Sequence, residues 1–545
     1  VAPGSLSNSR HLPVTRGSHR VVSMSLRRHF EPRRIAYTIH GDPRVNNTIK
    51  AGVILALAGS TGVAAASNFN IDFGKQVEAL ARLEALPLFG VLAPLGASST
   101  ASITADQANA NPLALATAAP GLKLSVVSAA ANLSPNIDMM VLWPNDSAPT
   151  HIIACNEEGS TQVGVQRIRL SDGVAENIIA SGLASCDPAE ITPWGTVIIG
   201  EENGANGRVF EIINPLATTG FVISGSGAST VISGPDAGNV QRVGALGQLS
   251  FEGISVLPNG VVYYQDENRP SATDNGGGYF KFIPATPWVA GSPAITSLSQ
   301  SPLNSGRIFG LRIGRNGAGV DIGAGNNSGR GNWVEVTGAA PINLRASATA
   351  LKLHTGYRPE DQDIDKGALA AGNVRVCGTN TGQDTATTSP SGGNNFGETW
   401  CITDGTVAAS AVISTTTQTL GSLTYTVNNG AGTTIPEYQI LVQHFQDFGM
   451  PDNIAYQPGN GNWLIQEDGE GATYSPARNN DIWACTDDGD DKDQLADACV
   501  KVITLNDLTA ESTGGVFDAK GKAYYFSVQH NITGHGVILK ATGWR

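Results

Sequence analysis

Residues 250–268 read S-F-E-G-I-S-V-L-P-N-G-V-V-Y-Y-Q-D-E-N. One acid, Glu252, opens a short apolar run, Pro258-Asn259-Gly260 supplies a turn, and a second apolar run closes on Asp266 and Glu267. β-branched and aromatic residues favour extended backbone and Pro-Asn-Gly reverses it tightly, so the stretch predicts a β-hairpin with acids at its open end. The same grammar returns in M-P-D-N-I-A-Y-Q-P-G-N-G-N-W-L-I-Q-E-D-G (450–469), S-C-D-P-A-E-I-T-P-W-G-T-V-I-I-G-E-E-N (185–203) and V-L-W-P-N-D-S-A-P-T-H-I-I-A-C-N-E-E-G (141–159). E-S-T-G-G-V-F-D-A-K-G-K-A-Y-Y-F-S-V-Q-H (511–530) keeps the frame and ends in Gln529-His530. Y-R-P-E-D-Q-D-I-D-K-G-A-L-A-A-G-N-V-R-V-C-G-T (357–379) heads it with an arginine.

After several copies comes a further strand-like run behind glycine, such as G-V-Q-R-I-R-L, G-R-V-F-E-I-I and G-Y-F-K-F-I-P. Repeats of about four short strands are the signature of a β-propeller, and six copies predict six blades in an all-β fold. Sixty-five Gly against four Met agree with strands and turns over helix bundles.

Spacing turns the repeat into chemistry. Glu252 and Asp266 are 14 residues apart, Asp452 and Glu467 are 15, and Cys186 and Glu201 are 15. In a tight hairpin such pairs lie side by side at the open ends of two strands, and a radial arrangement of blades brings those ends around one mouth of the central channel. So many carboxylates facing one channel repel one another unless cations sit among them. Asp452-Asn453 and Gln466-Glu467-Asp468 suit a hard cation such as Ca2+, whereas a Cys186 thiolate would imply a softer or redox-active metal such as iron. Arg358, beside Pro359, Glu360 and Asp361, is then expected to hold a phosphate-like anion against the metals, and metal-assisted phosphoester hydrolysis follows.

The ends of the chain carry other information. Residues 45–66 (V-N-N-T-I-K-A-G-V-I-L-A-L-A-G-S-T-G-V-A-A-A) have one Lys, a short apolar stretch and a small-residue end, as a secretory signal peptide does. Residues 1–44 hold eight Arg against Glu31 and Asp42 and read as an upstream leader outside the fold; the Arg pairs at 27–28 and 33–34 lie far from the apolar stretch for a twin-arginine signal. Residues 67–135, with V-E-A-L-A-R-L-E-A-L, read as a partly helical segment packing on a propeller of residues 136–545. Setting aside that leader and Lys50, the formal charge of −13 becomes −20 for residues 67–545, which makes a poor nucleic-acid binder and fits a soluble exported protein or one whose carboxylates neutralise bound cations; the partners expected are small phosphate esters, not nucleic acid. No transmembrane segment is expected in the mature chain, which reads as periplasmic or extracellular.

Export favours disulfides, and Cys377 with Cys401 and Cys485 with Cys499 enclose loops that a bridge would hold. Cys155 and Cys186 either pair with each other or leave one thiolate for a metal. His354, His444, His530 and His535 do not cluster and read as core or loop residues. Trp194, Trp400 and Trp463 read as packing between blades. Walker-type loops, H-E-x-x-H and G-x-S-x-G are absent from the sequence.

Five of these motifs, C-D-P-A-E-I-T-P-W-G-T-V-I-I-G-E-E-N, F-E-G-I-S-V, R-P-E-D, P-D-N-I-A-Y-Q-P-G-N-G-N-W-L-I-Q-E-D-G and T-G-G-V-F-D-A-K-G-K-A-Y-Y-F-S-V-Q-H, resemble in content and order those of the PhoX-type alkaline phosphatases. The likeness runs from about residue 136 to the C-terminus. It implies an exported six-bladed propeller that hydrolyses phosphate monoesters at a cluster of iron (Fe3+) and calcium ions. By motif, Cys186 falls on the iron-binding cysteine, Glu252 and Glu360 on cluster ligands, and Arg358 on the phosphate-contacting arginine. Glu158, Glu201, Asp452 and Asp468 fall near the calcium sites. The chain departs from the family at Phe251-Glu252-Gly253 (H-E-G there), Gly200-Glu201-Glu202 (C-E-E) and Asn156-Glu157-Glu158-Gly159 (N-H-E-Y). Two other readings accompany this one: a phosphodiesterase or phosphotriesterase on the same metals, and a non-catalytic calcium-binding propeller.

Overall fold

A computed structural model of the chain describes residues 78–545, apart from 271–275, 315–327, 383–395, 470–473, 475 and 488–494. The leader, the signal peptide and residues 67–77 lie outside the described residues.

Six antiparallel hairpins form where the repeated grammar predicts them. Their first strands are Ile137–Trp143, Cys186–Ile191, Phe251–Val256, Pro359–Ile364, Pro451–Gln457 and Glu511–Phe517, and each pairs with the strand that follows it. These six are the inner strands of blades 1 to 6, and they pack side by side in that order, the sixth against the first. The ring is tight enough to select residues: a Cβ on Gly253 in blade 3 would overlap the backbone nitrogen of Gln362 in blade 4. Turn glycines do the reversing, as at Gly260, whose φ of 84° is open to glycine and costly to other residues.

Further strands build outward from each hairpin. Blade 2, for example, continues through Val209–Ile212 to Val240–Arg242. Hydrogen bonding yields five sheets, one fewer than the expected blades, because blades 3 and 4 join at the rim where Gly329 and Arg330 pair with Tyr438 and Glu437. The 67–135 segment does more than pack. Ala116–Ala118 adds an outer strand to blade 5, and Lys123–Ser128 pairs with the C-terminal strand Val537–Thr542 to complete blade 6. The expected helix is two short ones, Glu78–Leu83 and Ala85–Phe89, whose Ala81, Ala85, Leu88 and Phe89 seal the apolar seam between blades 5 and 6.

The core lies between blades. Six buried apolar clusters occupy the six interblade gaps, and Trp194, Trp400 and Trp463 are fully buried in three of them. Blades 3 and 4 are also tied by a buried ion pair, Lys281 Nζ to Asp404 Oδ2 at 2.6 Å, with Tyr263 and Trp333 donating to the same carboxylate. Cys377–Cys401 and Cys485–Cys499 are disulfides between directly opposed residues of neighbouring strands. Among the described residues no helix is long and apolar enough to cross a membrane.

Candidate metal and phosphate site

Each inner strand has a β-bulge near its start, a register slip that bends the strand and re-aims a side chain. In blades 1 to 5 the first bulged residue is Asp138, Asp187, Glu252, Glu360 or Asp452, all buried. Blade 6 has Gly514 there instead, in a left-handed conformation, because a Cβ would overlap the backbone oxygen of Asp138. Blade 6 supplies Glu511 in its place, hydrogen-bonded to Asp468.

The second strand of each hairpin ends in a pair of polar residues that divide two roles. The first member lies opposite the inner strand's first residue and turns away from the channel mouth. Glu201 holds Arg208 through two hydrogen bonds of 2.6 and 2.5 Å, Asp266 holds Arg345 at 2.8 and 2.7 Å, and Glu467 holds Arg478 at 2.6 and 2.8 Å. The second member, on the other side of the pleat, joins the head acids: Glu157, Glu202, Glu267 and Asp468. Glu157 bonds Glu202, Glu202 bonds Glu267, and Asp187 bonds Glu252.

The geometry corrects one expected ligand, Cys186, and shows what two others, Glu201 and Glu158, contact. Cys186 is bonded to Cys155 as a disulfide inside the seam between blades 1 and 2, so it presents no thiolate. Glu201 is occupied by Arg208. Glu158 accepts a 2.7 Å hydrogen bond from Ser134, and its neighbour Glu157 is the one bonded to Glu202 in the acid cluster. Glu252, Glu360, Asp452 and Asp468 do gather at the mouth, with Arg358 among them. Sequence reasoning passed over Asp138, Glu157, Asp187, Glu202, Glu267 and Glu511. Asp138, in I-D-M-M, stands where D-P-A-E has Asp187, and this alignment was the available signal.

Arg358 sits at φ 56°, directly before Pro359, with its N–H donated to the Asn268 carbonyl and its own carbonyl accepting from Thr381. That turn throws the guanidinium into the mouth. Its Nε is 2.8 Å from Glu267 Oε1 and 2.7 Å from Glu360 Oε1, and its Nη1 is 3.0 Å from Asp468 Oδ2. Despite burial, Asp468 and Glu267 are held below their ordinary values: Asp468 by its hydrogen bond with Glu511 and then by Arg358, Glu267 by the charge of Arg358 and its hydrogen bonds with Glu202 and Arg358. Elsewhere burial and mutual repulsion win, even at Glu360, where burial outweighs the adjacent arginine: Asp187 is pushed up to about 7 and Glu202 to about 11, and Asp138, Glu252, Glu360, Asp452 and Glu511 also rise.

A cation fits this arrangement better than a set of shared protons. Asp187, Glu202 and Glu252 offer oxygens all within 4.8 Å of one another. Oδ1 of Asp138 and Oδ1 of Asp187 are buried without a hydrogen-bond partner. The donors are all oxygen, the ligand type of hard ions. Outside the cluster opens a cavity of about 780 Å³ lined by Glu157, Glu202, Glu267, Arg269, Arg345 and Arg358.

A family model described as alkaline phosphatase PhoX matches residues 163–531, most of the chain and five of the six inner hairpins of the ring. The chain belongs to the PhoX alkaline phosphatase family. The fold of this PhoX-family chain is similar to that of Pseudomonas fluorescens PhoX solved in complex with vanadate, a transition-state analogue: TM-score 0.53 at 14% identity, covering 82% of this chain and 98% of that one. Weaker likenesses are the PQQ domain of Coprinopsis cinerea pyranose dehydrogenase (TM-score 0.39, 12% identity, 79% and 98% covered) and a Xanthomonas campestris gluconolactonase (0.35, 9%, 82% and 96%). No curated protein sequence matches.

Proposed function

We propose that this PhoX-family chain is an exported alkaline phosphatase that hydrolyses phosphate monoesters at a cluster of calcium and iron (Fe3+) ions in the channel mouth, in the periplasm or outside the cell. The observation that carries the reading is the convergence of buried carboxylates on a single mouth together with Arg358, in a chain of this family. Bound cations would neutralise the acids, polarise a phosphoryl oxygen and make an oxygen nucleophile available at alkaline pH. The ions would be held by Asp138, Asp187, Glu202, Glu252, Glu360 and Asp452. With Cys186 in a disulfide, iron too would bind through carboxylates, which suit its hard trivalent state.

Arg358 clamps the phosphate. Once cations hold Glu360 and its neighbours, the guanidinium can exchange carboxylate oxygens for phosphate oxygens of the same geometry. The carboxylates also keep the side chain extended and oriented before substrate arrives. A mouth this large would admit a diester, but three arginines line it, and cationic walls favour the dianionic monoester. The three disulfides support an oxidising compartment.

Metal analysis of the purified protein, with hydrolysis of p-nitrophenyl phosphate before and after chelation, tests the reading. Calcium and iron together with chelator-sensitive hydrolysis are expected; calcium alone with no hydrolysis between pH 6 and 10 overturns it. Arg358→Ala is expected to lower kcat/KM by about 10² to 10³ with metal content retained, and equal loss of metal would remove its role as clamp.

A further inference from the structure

Blade 4 departs from the pattern that blades 1, 2, 3 and 5 keep at the mouth. Its second strand, Asn373–Asn380, puts Asn380 opposite Pro359, the place that Glu201, Asp266 and Glu467 hold in blades 2, 3 and 5. Asn380 is buried and engaged on its own side of the strand: its Oδ1 accepts from Tyr279 Oη at 2.8 Å and its Nδ2 donates to Glu398 Oε1 at 2.9 Å. The residue after it takes the position of the mouth-facing acids Glu157, Glu202, Glu267 and Asp468. In blade 4 that residue is Thr381.

Thr381 is fully buried, and its backbone and side chain do separate work. Its N–H donates to the Arg358 carbonyl at 3.0 Å and closes the turn that carries the guanidinium. Its Oγ1 lies 2.6 Å from Glu360 Oε1 and 3.0 Å from the Pro451 carbonyl. A hydroxyl has one proton to give, and an ionised carboxylate is the stronger acceptor, so the proton goes to Glu360; 2.6 Å is the length of a charge-assisted O–H···O bond. The Glu360 main chain is fixed independently, because its carbonyl accepts from Gln265 Nε2 of blade 3. Oε1 therefore meets both Thr381 Oγ1 and, at 2.7 Å, Arg358 Nε, while no hydrogen bond reaches Oε2 among the described residues. Glu252 of blade 3 and Asp452 of blade 5 are the charged neighbours of this carboxyl.

We propose that Thr381 is a positioning residue that divides the two oxygens of Glu360, its hydroxyl holding Oε1 and so reserving Oε2 for a bound cation. The inference rests on the phosphatase reading and deepens it. When Arg358 exchanges its carboxylate contacts for phosphate, Thr381 alone keeps Oε1 in place. Without the hydroxyl the carboxyl can turn about its terminal torsion, which is broad and roughly two-fold, and the oxygen that meets the cation is no longer fixed. An acid at this position would repel Glu360 where threonine donates to it.

Two substitutions separate the hydroxyl from the shape of the side chain. Thr381→Val keeps the branched Cβ, which suits extended backbone, and removes the hydroxyl; Thr381→Ser keeps the hydroxyl. Metal content followed by elemental analysis through a chelator titration gives a readout independent of turnover. Thr381→Val is expected to lose metal at chelator concentrations about 10- to 100-fold lower than the wild type, the usual effect of removing an outer hydrogen bond from a ligand. Thr381→Ser is expected to restore most of that difference. The main chain of residue 381 still holds the Arg358 turn in both variants, so KM for p-nitrophenyl phosphate is expected to stay near the wild-type value while kcat falls in Thr381→Val. Circular dichroism and melting temperature check the fold. A Thr381→Val protein that melts lower but keeps its metal and kcat assigns the hydroxyl to stability alone and overturns the inference, as does a Thr381→Ser protein that loses as much metal as Thr381→Val. In either case hydrolysis by the wild type upholds the phosphatase. A wild type that neither holds metal nor hydrolyses p-nitrophenyl phosphate overturns both.

Discussion

Glu201 and Glu202 are adjacent, identical in chemistry, and opposite in role. Strand pleating sends one toward Arg208 in the blade interior and the other toward the acids of the mouth. Glu201→Gln leaves a buried guanidinium without its charge partner, which costs about 3–5 kcal/mol, read as a lower denaturation midpoint with metal stoichiometry retained. Glu202→Gln removes a donor oxygen and is expected to lower bound metal per chain, read by elemental analysis, while relieving repulsion in the metal-free protein. The reverse assignment of effects would return the ligand role to Glu201. Cys186 gives an equally direct test. As half of a disulfide it contributes stability, so Cys186→Ser is expected to lower the melting temperature and leave iron content unchanged. Loss of iron from the variant would show that the thiolate is a ligand.

At the scale of the element, the recurring device is a hairpin with a bulge behind its first residue. The bulge lets two consecutive residues, such as Glu360 and Asp361, both be buried: Glu360 faces Arg358, and Asp361 accepts the Ile454 N–H of the next blade. Inner strands this close demand small residues at crossing points. Gly253→Ala places a methyl group on the Gln362 backbone, and a cost of about 1–3 kcal/mol is expected from overpacking. Urea unfolding measures it, and an unchanged midpoint would mean that blades 3 and 4 can separate at no cost. The hairpins were legible in the sequence because alternating strand formers and turn glycines are local signals. The bulges were not, since a register slip depends on which backbone groups the partner strand offers.

For the whole molecule, blades meet at both ends of the channel. Away from the metal mouth, Glu190 of blade 2, Asp363 of blade 4 and Asp146, after the inner strand of blade 1, lie near one another with Lys366 between them. Burial pushes the Glu190 carboxyl up to about 8, Asp363 adding repulsion and Lys366 opposing it. A raised carboxyl binds its proton more tightly in the folded state. Its contribution is therefore fully present below the ordinary carboxylate range and is lost as pH rises through about 8. Glu190→Gln is expected to flatten the fall in stability between pH 5 and 8, measured by melting temperature across that window. A fall as steep as in the wild type would show that other groups set it. Closure of the ring also belongs to this scale: Lys123–Ser128 completes blade 6 beside the C-terminal strand, a pairing across more than 400 residues that no local pattern announces.

Repeat period, hairpin boundaries, the acid-rich open ends and the exceptional arginine Arg358 were determined by the sequence alone, because strand alternation and turn chemistry act over a few residues. So were two cysteine pairs, each closing a short loop. Tertiary structure decided which acid of each adjacent pair meets the channel and which meets an arginine, that Cys186 meets Cys155, and that Arg269 and Arg345 share a cavity with Arg358. Those outcomes depend on bulges, pleat phase and the close approach of neighbouring blades, in which a shift of one residue exchanges the mouth for the blade interior.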